Sequence, residues 1–366
     1  MPSANCRAKQ GNGISDVSET AERTPGVTGA PPGKQGTEDG LGGMLRRAGQ
    51  AFLQQREASV VLIAVALFLY FGASTHGFFS HGSTVNIAQY MAPYLIVAIG
   101  EVYLMVCGEI DLSVGFVWMF APFVMHFFVD SGIETVLAII ITVLLLSLIG
   151  FANGVITTVF GVPSLITTLG VGYIVNGYAL TVSSAQQINL PDGSLRWAKW
   201  FGAGNWSEFI WATVLVIIFQ IIFTRTRWGL YTVAVGDNLL GARESGIKVN
   251  RIKIGNFMIC SSLAALAGIL ESFLRDIIDP SAGGFPIVLI VLAGTVIGGT
   301  AMAGGSGTVI GAWLGMLVLG ILQDGFNLRG ISSNALLMIL GGAILIAMIV
   351  NNYLSRLRGA GRIAKS

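Results

Sequence analysis

The sequence predicts an all-α polytopic membrane protein of about ten transmembrane helices, within a range of about 8–11, with both termini cytoplasmic. Of the 366 residues, 53% are hydrophobic and 11% are charged, whereas soluble domains carry roughly 25% charged residues. Apolar stretches recur from residue 58 onward, each close to the roughly 20 residues that cross a bilayer. Lysine and arginine are concentrated in three polar segments. The first two observations predict the membrane class, and the third predicts the orientation.

The two ends of the chain differ from its apolar middle. Residues 1–50 are rich in Gly, Pro, Ser, Thr and charge, so they cannot bury enough apolar surface to fold alone, and we expect a disordered cytoplasmic tail. They lack the apolar core of a signal peptide, which makes 60–73 part of a retained first span. We expect the transmembrane domain over 51–355 and a basic cytoplasmic tail over 356–366.

Ten apolar segments make up the predicted transmembrane domain. Several are short or interrupted by Gly and Pro, which is why the span number carries a range. The segments are 58–73, 87–107, 112–130, 134–160, 163–184, 207–224, 255–274, 285–300, 309–325 and 333–354.

The basic residues predict the orientation of these spans. With a cytoplasmic N-terminus and ten spans, the inner segments hold 7 basic residues before span one, 6 between spans six and seven, and 4 in the C-terminal tail. These sum to 17 of the 21 lysines and arginines, and 4 remain outside. Because cytoplasmic loops of membrane proteins carry an excess of Lys and Arg, this bias favours an even span number with both termini inside.

The long outer loop over 185–205 contains a turn at Pro191-Asp192-Gly193. Trp197, Trp200 and Trp206 suit a membrane interface, where amphipathic rings settle. We therefore expect this loop to be an interfacial anchor, with direct contact to a solute as the alternative.

A charged break separates spans six and seven within Thr226–Leu270. Asp237 or Asn238 can accept a hydrogen bond from free amides at a helix start, and Gly246 offers a left-handed stop. The break is therefore either a short helix at about 237–246 lying across the membrane face or a plain connecting loop. Its flanking basic residues would anchor it at the anionic inner leaflet; they are Arg225, Arg227, Arg251 and Lys253.

Nothing in the sequence predicts a nucleotide, metal or other cofactor site. The stretch GAPPGKQGT resembles a phosphate-binding loop, but Thr28 replaces the first glycine and Gln35 replaces the Ser/Thr that would bind Mg²⁺. The three cysteines are scattered and the three histidines do not cluster at ligand spacing. We therefore expect a protein that is not an enzyme.

The stretch GEIDLSVG, Gly108–Gly115, interrupts the apolar sequence with two acids. Ionisable groups at membrane depth are costly and often functional. Asp111 precedes Ser113 and a fresh apolar run, so it can cap span three. We favour this structural or gating role for Glu109, Asp111 and Ser113 over direct contact with a solute.

Glycines crowd the region over 294–315. Gly311 and Gly315 form a small-xxx-small pair that lets helix backbones approach each other. The patch of Gly304, Gly305 and Gly307 is predicted to be a structural or gating element, either a hinge or a tight turn.

A polar solute needs hydrogen-bonding groups inside the spans, and several polar residues lie there. Each could instead bond a neighbouring helix, and Glu271 could pair with Arg275 one turn further on. The candidates for the pathway are Gln89, Asn153, Thr167, Thr168, Asn176, Glu271, Gln323 and Asn327.

Four stretches in order resemble the ribose-type (monosaccharide) permease subunits of ATP-binding-cassette importers, within the branched-chain amino acid/ribose permease superfamily. They are GEIDLSVG at 108–115, VPSLITTLG at 162–170, AVGDNLLGARESGIKVNRIKI at 234–254 and VIGGTAMAGGSGTVIGAWLG at 296–315. The resemblance implies a coupling helix at about 237–246 that docks on a cytoplasmic ATPase. The implied docking residues are Asp237, Asn238, Ala242, Arg243, Ser245 and Gly246.

The resemblance also implies the partners and the cargo. It implies a separate ATPase subunit, a periplasmic or lipid-anchored solute-binding protein, a second permease copy (a homodimer or a close paralogue), membrane lipid and no nucleic acid, in a bacterial inner membrane. The leading hypothesis is import of a monosaccharide or related polyol. A nucleoside or a signalling furanose is the alternative within the class, and an ATPase-independent secondary transporter or channel is the alternative outside it.

One departure from the family concerns the segment before VIGG. Many ribose-type permeases carry E-L-x-x-I-A-A there, whereas 285–295 of this chain holds no acidic residue. This difference extends the candidate cargoes to a polyol or a less common monosaccharide.

Overall fold

The computed structural model describes residues 57–331 and helical positions 335, 338, 339, 341, 342, 345 and 349. The predicted tails at 1–50 and 356–366, and most of the tenth predicted span, lie outside the described residues. The helices are α1 (Ala58–Ser74), α2 (His81–Val106), α3 (Val114–Asp130), α4 (Thr135–Thr158), α5 (Ser164–Val182), α6 (Leu195–Phe201), α7 (Ser207–Arg225), α8 (Arg227–Asp237), α9 (Leu239–Glu244), α10 (Val249–Arg275), α11 (Phe285–Ile297) and α12 (Val309–Leu328). Two short strands, β1 (Ile188–Asn189) and β2 (Ile277–Ile278), pair antiparallel.

The first nine predicted apolar segments each coincide with a described helix. Among the described residues, α2, α4, α5, α7, α10 and α12 are long and apolar enough to cross a membrane by length and composition, and α1, α3 and α11 are shorter apolar helices. The mostly helical, polytopic fold is confirmed, and the number of spans stays a prediction. The helix α2 starts earlier than predicted. Ser80 caps it by accepting a hydrogen bond from the Ser83 amide at 3.1 Å. Hydropathy did not predict this start because the first turn of α2 is polar.

The centre of the bundle is formed by α2 and α10. About 83% of the most apolar stretch of α2 and 72% of that of α10 are buried inside the chain. In turn, α10 packs against α2, α3 and α4, and α2 packs against α7, α11 and α12. Side chains on these two helices are therefore shielded by protein.

Glycines bring α11 and α12 into backbone contact. A Cβ on Gly311 would lie 2.2 Å from the carbonyl oxygen of Gly298, and one on Gly315 would lie 1.9 Å from that of Gly294. Gly311 and Gly315 of α12 thus meet Gly294 of α11 and Gly298, the residue that follows α11. The close packing predicted from Gly311 and Gly315 is confirmed.

One end of the bundle, which we call the ribbon end, carries β1, β2 and α6. Ile188 pairs with Ile278 and Asn189 with Ile277. The predicted turn lies in a 3₁₀ turn over Asp192–Ser194, and α6 follows it. This segment is more structured than a sequence-local analysis predicts, because the partner strand of β1 lies far away along the chain.

The opposite end, which we call the basic end, carries α8 and α9, and α10 runs from there to β2 at the ribbon end. The charged break holds two helices rather than the one predicted. The chain turns sharply at Thr226, which is extended at φ −115° and ψ 161°, and α8 begins at the next residue. The helix α8 was not predicted from the sequence, because its mixture of polar and apolar residues does not resemble a membrane span.

Candidate functional site

A cavity of about 330 Å³ lies near the ribbon end between α2, α3, α10 and α11. Its size falls within the roughly 300–1,000 Å³ of small-molecule sites. Tyr94, Trp118, Glu271, Ser272, Arg275 and Asp279 supply its aromatic and polar lining. We call it the ribbon-end cavity.

An aromatic wall forms one side of the ribbon-end cavity. The rings of Tyr94 and Trp118 are stacked at a centroid distance of 5.6 Å and an angle of 27°. The ring of Tyr90 lies beside that of Tyr94, with 5.2 Å between the ring centroids. Such a wall offers a large apolar face to a ligand, while charged groups opposite can fix the ligand's orientation.

An ion pair provides the charged groups. Glu271 accepts a hydrogen bond from Nε of Arg275 at 2.5 Å, one helical turn away on α10. The pairing predicted from the sequence is confirmed, and the same pair also lines the cavity. The second carboxylate oxygen of Glu271 has no hydrogen-bond partner among the described residues. This oxygen remains able to accept a hydrogen bond.

A second carboxylate, Glu208 at the start of α7, lies beside this pair. It is 1% exposed, and neither of its oxygens has a hydrogen-bond partner in the described part of the chain. Two buried carboxylates thus lie near a single arginine. Sequence reasoning missed Glu208 because it precedes an apolar run and resembles a surface residue there.

The other predicted pathway residues lie outside the ribbon-end cavity. Thr167 is buried with no hydrogen-bond partner among the described residues. Gln89, Asn176 and Gln323 are half-buried, and Asn327 is exposed. The structure therefore brings only Glu271, of the predicted set, to this cavity.

Asn153 and Thr168 instead hold the break between α2 and α3. Asn153 donates to the hydroxyl of Ser113 at 2.9 Å and to the carboxylate of Asp111 at 3.3 Å. The hydroxyl of Thr168 accepts from the Leu112 amide at 3.0 Å. Irregular backbone at membrane depth requires such partners, because lipid cannot satisfy it.

The two acids of the GEIDLSVG stretch have separate partners. Asp111 accepts from the amide of Ser113 at 2.8 Å and from its hydroxyl at 2.5 Å, just before α3 begins. Glu109 pairs with Lys253 of α10 at 2.5 Å. The prediction that Asp111 caps span three is wrong, because Ser113 is the N-cap residue of α3 and Asp111 bonds Ser113 rather than an amide of the first helical turn. The pair of Glu109 and Lys253 joins the break to the start of α10.

Glu101 on α2 was missed by sequence reasoning. It is fully buried, and neither carboxylate oxygen has a hydrogen-bond partner among the described residues. Asp111 and Cys260 lie beside it. An unpartnered polar group at such depth is expensive, which makes it a candidate for function. The sequence around a single acid in an apolar run does not show whether its side chain is buried or what lies beside it.

At the basic end, Asn238 caps α9 by accepting a hydrogen bond from the Gly241 amide at 2.9 Å. Gly246 lies just beyond the helix at φ +79°, a conformation that favours glycine. Of the six predicted docking residues, Ala242 is buried and the others are exposed; these are Asp237, Asn238, Arg243, Ser245 and Gly246.

The last turn of α8 is joined to α2 through the glycine patch. Gly304 and Gly305 have φ values of +91° and +76°, which makes the patch a tight turn. The Gly305 amide donates to the Val106 carbonyl at 2.8 Å. Gly236 contacts both of these backbone groups so closely that a Cβ there would lie 1.7 Å from the Val106 oxygen. Since α9 follows α8 along the chain, these contacts join the segment that carries α9 to the end of α2.

Together, a multi-pass helical bundle, a partly polar cavity at one end and an exposed capped helix at the other define a membrane transport component. Within the described residues, no cluster of His, Cys, Asp or Glu is suited to hold a metal ion. The model of the branched-chain amino acid transport system permease component family matches residues 83–349. The chain belongs to this family.

Curated relatives support the same assignment. The xylose/arabinose import permease protein XylH of Sulfolobus acidocaldarius is 37% identical over 81% of this chain and 84% of its own length. The ribose import permease protein RbsC of Escherichia coli K12 is 31% identical over 83% of this chain and 95% of its own. The autoinducer 2 import system permease protein LsrC of Photorhabdus luminescens is 30% identical over 75% and 82%.

These relatives identify a ribose-type permease subunit of an ATP-binding-cassette importer, which is a transport component rather than an enzyme. They also support, in general terms, an ATPase and a solute-binding protein as partners. No solved structure gives a significant match.

Proposed function

We propose that this permease subunit translocates a monosaccharide, with pentoses first among the candidates, or a related polyol. The ribbon-end cavity carries the proposal, because its stacked Tyr94 and Trp118 suit the apolar face of a sugar ring and Glu271 and Arg275 suit its hydroxyl groups. Relatives named for xylose/arabinose and ribose support a five-carbon cargo. The missing acid in 285–295 does not conflict with a sugar, because the carboxylates near the cavity come from α7, α10 and the residue after β2.

The proposed route runs from the ribbon end to the basic end. The excess of Lys and Arg, 17 of 21 on one side of a ten-span topology, supports a cytoplasmic location for the basic end. The ribbon-end cavity then faces the side from which a binding protein delivers the solute, in a bacterial inner membrane. A second copy of the chain, or a close paralogue, completes the pore.

The proposed route of mechanical work begins at α9. An isolated helix of six residues is marginal in water, so α9 needs a partner surface to stabilise it. Its exposed docking residues, beside the exposed Leu239 and Leu240, suit the groove of an ATPase subunit. Closure of that ATPase would move α8, the glycine patch and α2 together.

A second cargo is favoured by one specific observation. The relative named as an autoinducer 2 import permease matches this chain almost as well as the ribose permeases do. A small signalling furanose shares the ring shape and hydroxyl groups of a pentose.

Transport by the reconstituted importer distinguishes these cargoes. Proteoliposomes would contain the permease, its ATPase and its binding protein, and would be offered labelled xylose, arabinose and ribose, with unlabelled autoinducer 2 as competitor. We expect ATP-driven uptake of at least one pentose. Uptake of none of them, combined with binding of an unrelated solute by the binding protein, would overturn the proposed cargo.

Arg243→Glu should leave the protein inserted but lower ATP-driven uptake. The substitution reverses an exposed charge on α9 without touching the buried Ala242. Because reversed charges at an interface cost affinity, we expect uptake to fall about tenfold. Arg225→Glu is the control, since Arg225 is exposed at the same end but precedes α8. Wild-type uptake by Arg243→Glu at equal membrane levels would count against the docking role of α9.

Glu271→Gln should slow uptake while preserving the fold. The amide keeps the shape of the carboxylate but loses the charge that holds Arg275. Charge-assisted hydrogen bonds are worth about 1.5–3 kcal/mol, so we expect uptake about tenfold lower at saturating binding protein. Glu134→Gln provides the comparison, because Glu134 is an exposed carboxylate at the start of α4 and does not line the cavity. If the two variants behave alike, the ribbon-end cavity is not the solute site.

A further inference from the structure

A second cavity, of about 440 Å³, lies at the basic end between the start of α8 and the turn that joins α9 to α10. Three cationic side chains line it: Arg227, Lys248 and Arg251. All three are exposed, and no carboxylate lines this cavity. Within the described part of the chain, none of the three cations has an ion-pair partner. The cavity therefore concentrates positive charge that the described residues do not neutralise.

The remaining walls are apolar or aromatic. Ile247 and Ile252 line the cavity, together with the rings of Trp228 and Tyr231. Such walls give a free inorganic anion nothing to bind, but they suit the glycerol and first methylene groups of a lipid. Tryptophan and tyrosine are enriched at the depth of lipid headgroups.

The position of Trp228 is fixed by contacts with α10. Its Nε1 donates to Oδ1 of Asn256 at 2.8 Å, and Asn256 is fully buried on α10. The ring lies against Gly255, where a Cβ would be 2.3 Å from the ring edge. This wall is therefore preformed rather than assembled around a ligand.

The cavity overlaps the proposed docking residues only beyond the end of α9. Leu239, Leu240 and Arg243 do not line it, whereas Ser245 and Gly246 beyond the helix do. An occupant would contact the residues on both sides of α9 and leave those three exposed side chains free. A lipid in the cavity would therefore leave the exposed side chains of α9 itself available to an ATPase.

We infer that this cavity binds the phosphate-bearing headgroup of an anionic glycerophospholipid. The phosphate lies among Arg227, Lys248 and Arg251, with the Ser245 hydroxyl as a further donor, and the glycerol packs against Trp228. Basic pockets between membrane helices on the cytoplasmic side bind such headgroups. The bound lipid would bridge the start of α8 to the start of α10 and thereby brace α9. The inference requires that the basic end lies at a membrane surface, and it does not depend on the cargo.

Native mass spectrometry of the full-length detergent-solubilised chain, titrated with phosphatidylglycerol, tests the site. The variant is Arg227→Gln/Arg251→Gln, and the matched control is Arg225→Gln/Arg243→Gln, which removes the same charge from exposed positions outside the cavity. We expect one tightly held phosphatidylglycerol per wild-type chain and an affinity about tenfold lower in the cavity variant. The control should stay close to wild type, and Lys248→Gln alone should give an intermediate loss. Phosphatidylcholine should bind more weakly than phosphatidylglycerol to the wild type.

Three results would overturn the inference. An equal loss of lipid affinity in the cavity and control variants would show that general surface charge, rather than this cavity, binds the lipid. Displacement of the lipid by an equal concentration of inorganic phosphate would identify a free anion as the ligand. Full lipid retention by the cavity variant would show that the lipid does not bind in this cavity. Thermal unfolding of each variant distinguishes a loss of lipid binding from a loss of fold.

Discussion

Gly236→Ala should uncouple ATP hydrolysis from uptake. The new Cβ would lie 1.7 Å from the Val106 carbonyl oxygen and 2.7 Å from the Gly305 amide nitrogen. Both are backbone atoms, joined to each other by a hydrogen bond of 2.8 Å, so neither can rotate away as a side chain would. The last turn of α8 must therefore move, and α9 must move with it.

The expected size of this effect follows from ordinary coupling energies. Coupling between two sites is typically worth about 1–3 kcal/mol, which corresponds to a loss of about 5–150-fold in transport per ATP hydrolysed. The measurement is uptake divided by ATPase turnover in proteoliposomes, so that poorly inserted protein does not imitate the result. Gly177→Ala serves as the control, because a Cβ at that helical glycine of α5 meets nothing within 4 Å. An unchanged ratio in Gly236→Ala would show that the junction of α8, α2 and the glycine patch does not transmit work.

Gly315→Leu should destabilise the bundle strongly. The carbonyl oxygen of Gly294 would lie 1.9 Å from the new Cβ, and the amide nitrogen of Gly298 would lie 2.8 Å from it. A leucine side chain therefore has no space unless α11 and α12 separate along their contact. Overpacking of a tight interior costs about 1–3 kcal/mol and occasionally more.

Thermal unfolding in detergent measures this second effect. Gly177→Leu makes the same change on an exposed helical face and should leave the midpoint near that of the wild type. Gly315→Ala should fall between Gly315→Leu and the wild type. Equal midpoints for Gly315→Leu and Gly177→Leu would contradict the close backbone packing of α11 on α12.

The features that were predictable from the sequence depend on residues within one or two helical turns of each other. Hydropathy located the apolar helices, and the four-residue spacing of Glu271 and Arg275 predicted their ion pair. Asn238 and Gly246 marked the beginning and end of a short helix because capping and left-handed backbone conformations depend on local side chains. The spacing of Gly311 and Gly315 predicted close packing without identifying α11 as the partner.

The features that were missed depend on contacts distant in sequence. Trp118 and Tyr94 stack across two helices, and Glu109 pairs with Lys253 from another part of the chain. Hydropathy also cannot distinguish a lipid-facing helix from a central one. The unpartnered carboxylate of Glu101 is therefore interpretable only once α2 is known to lie in the middle of the bundle.

The energy source of uptake tests the central claim most directly. Proteoliposomes containing this chain and its binding protein would be assayed for accumulation of labelled pentose with and without the ATPase subunit. An inward proton or sodium gradient would be imposed as a separate condition. We predict accumulation only when the ATPase and ATP are both present, and no accumulation under the gradient alone. Gradient-driven accumulation without the ATPase would contradict the account.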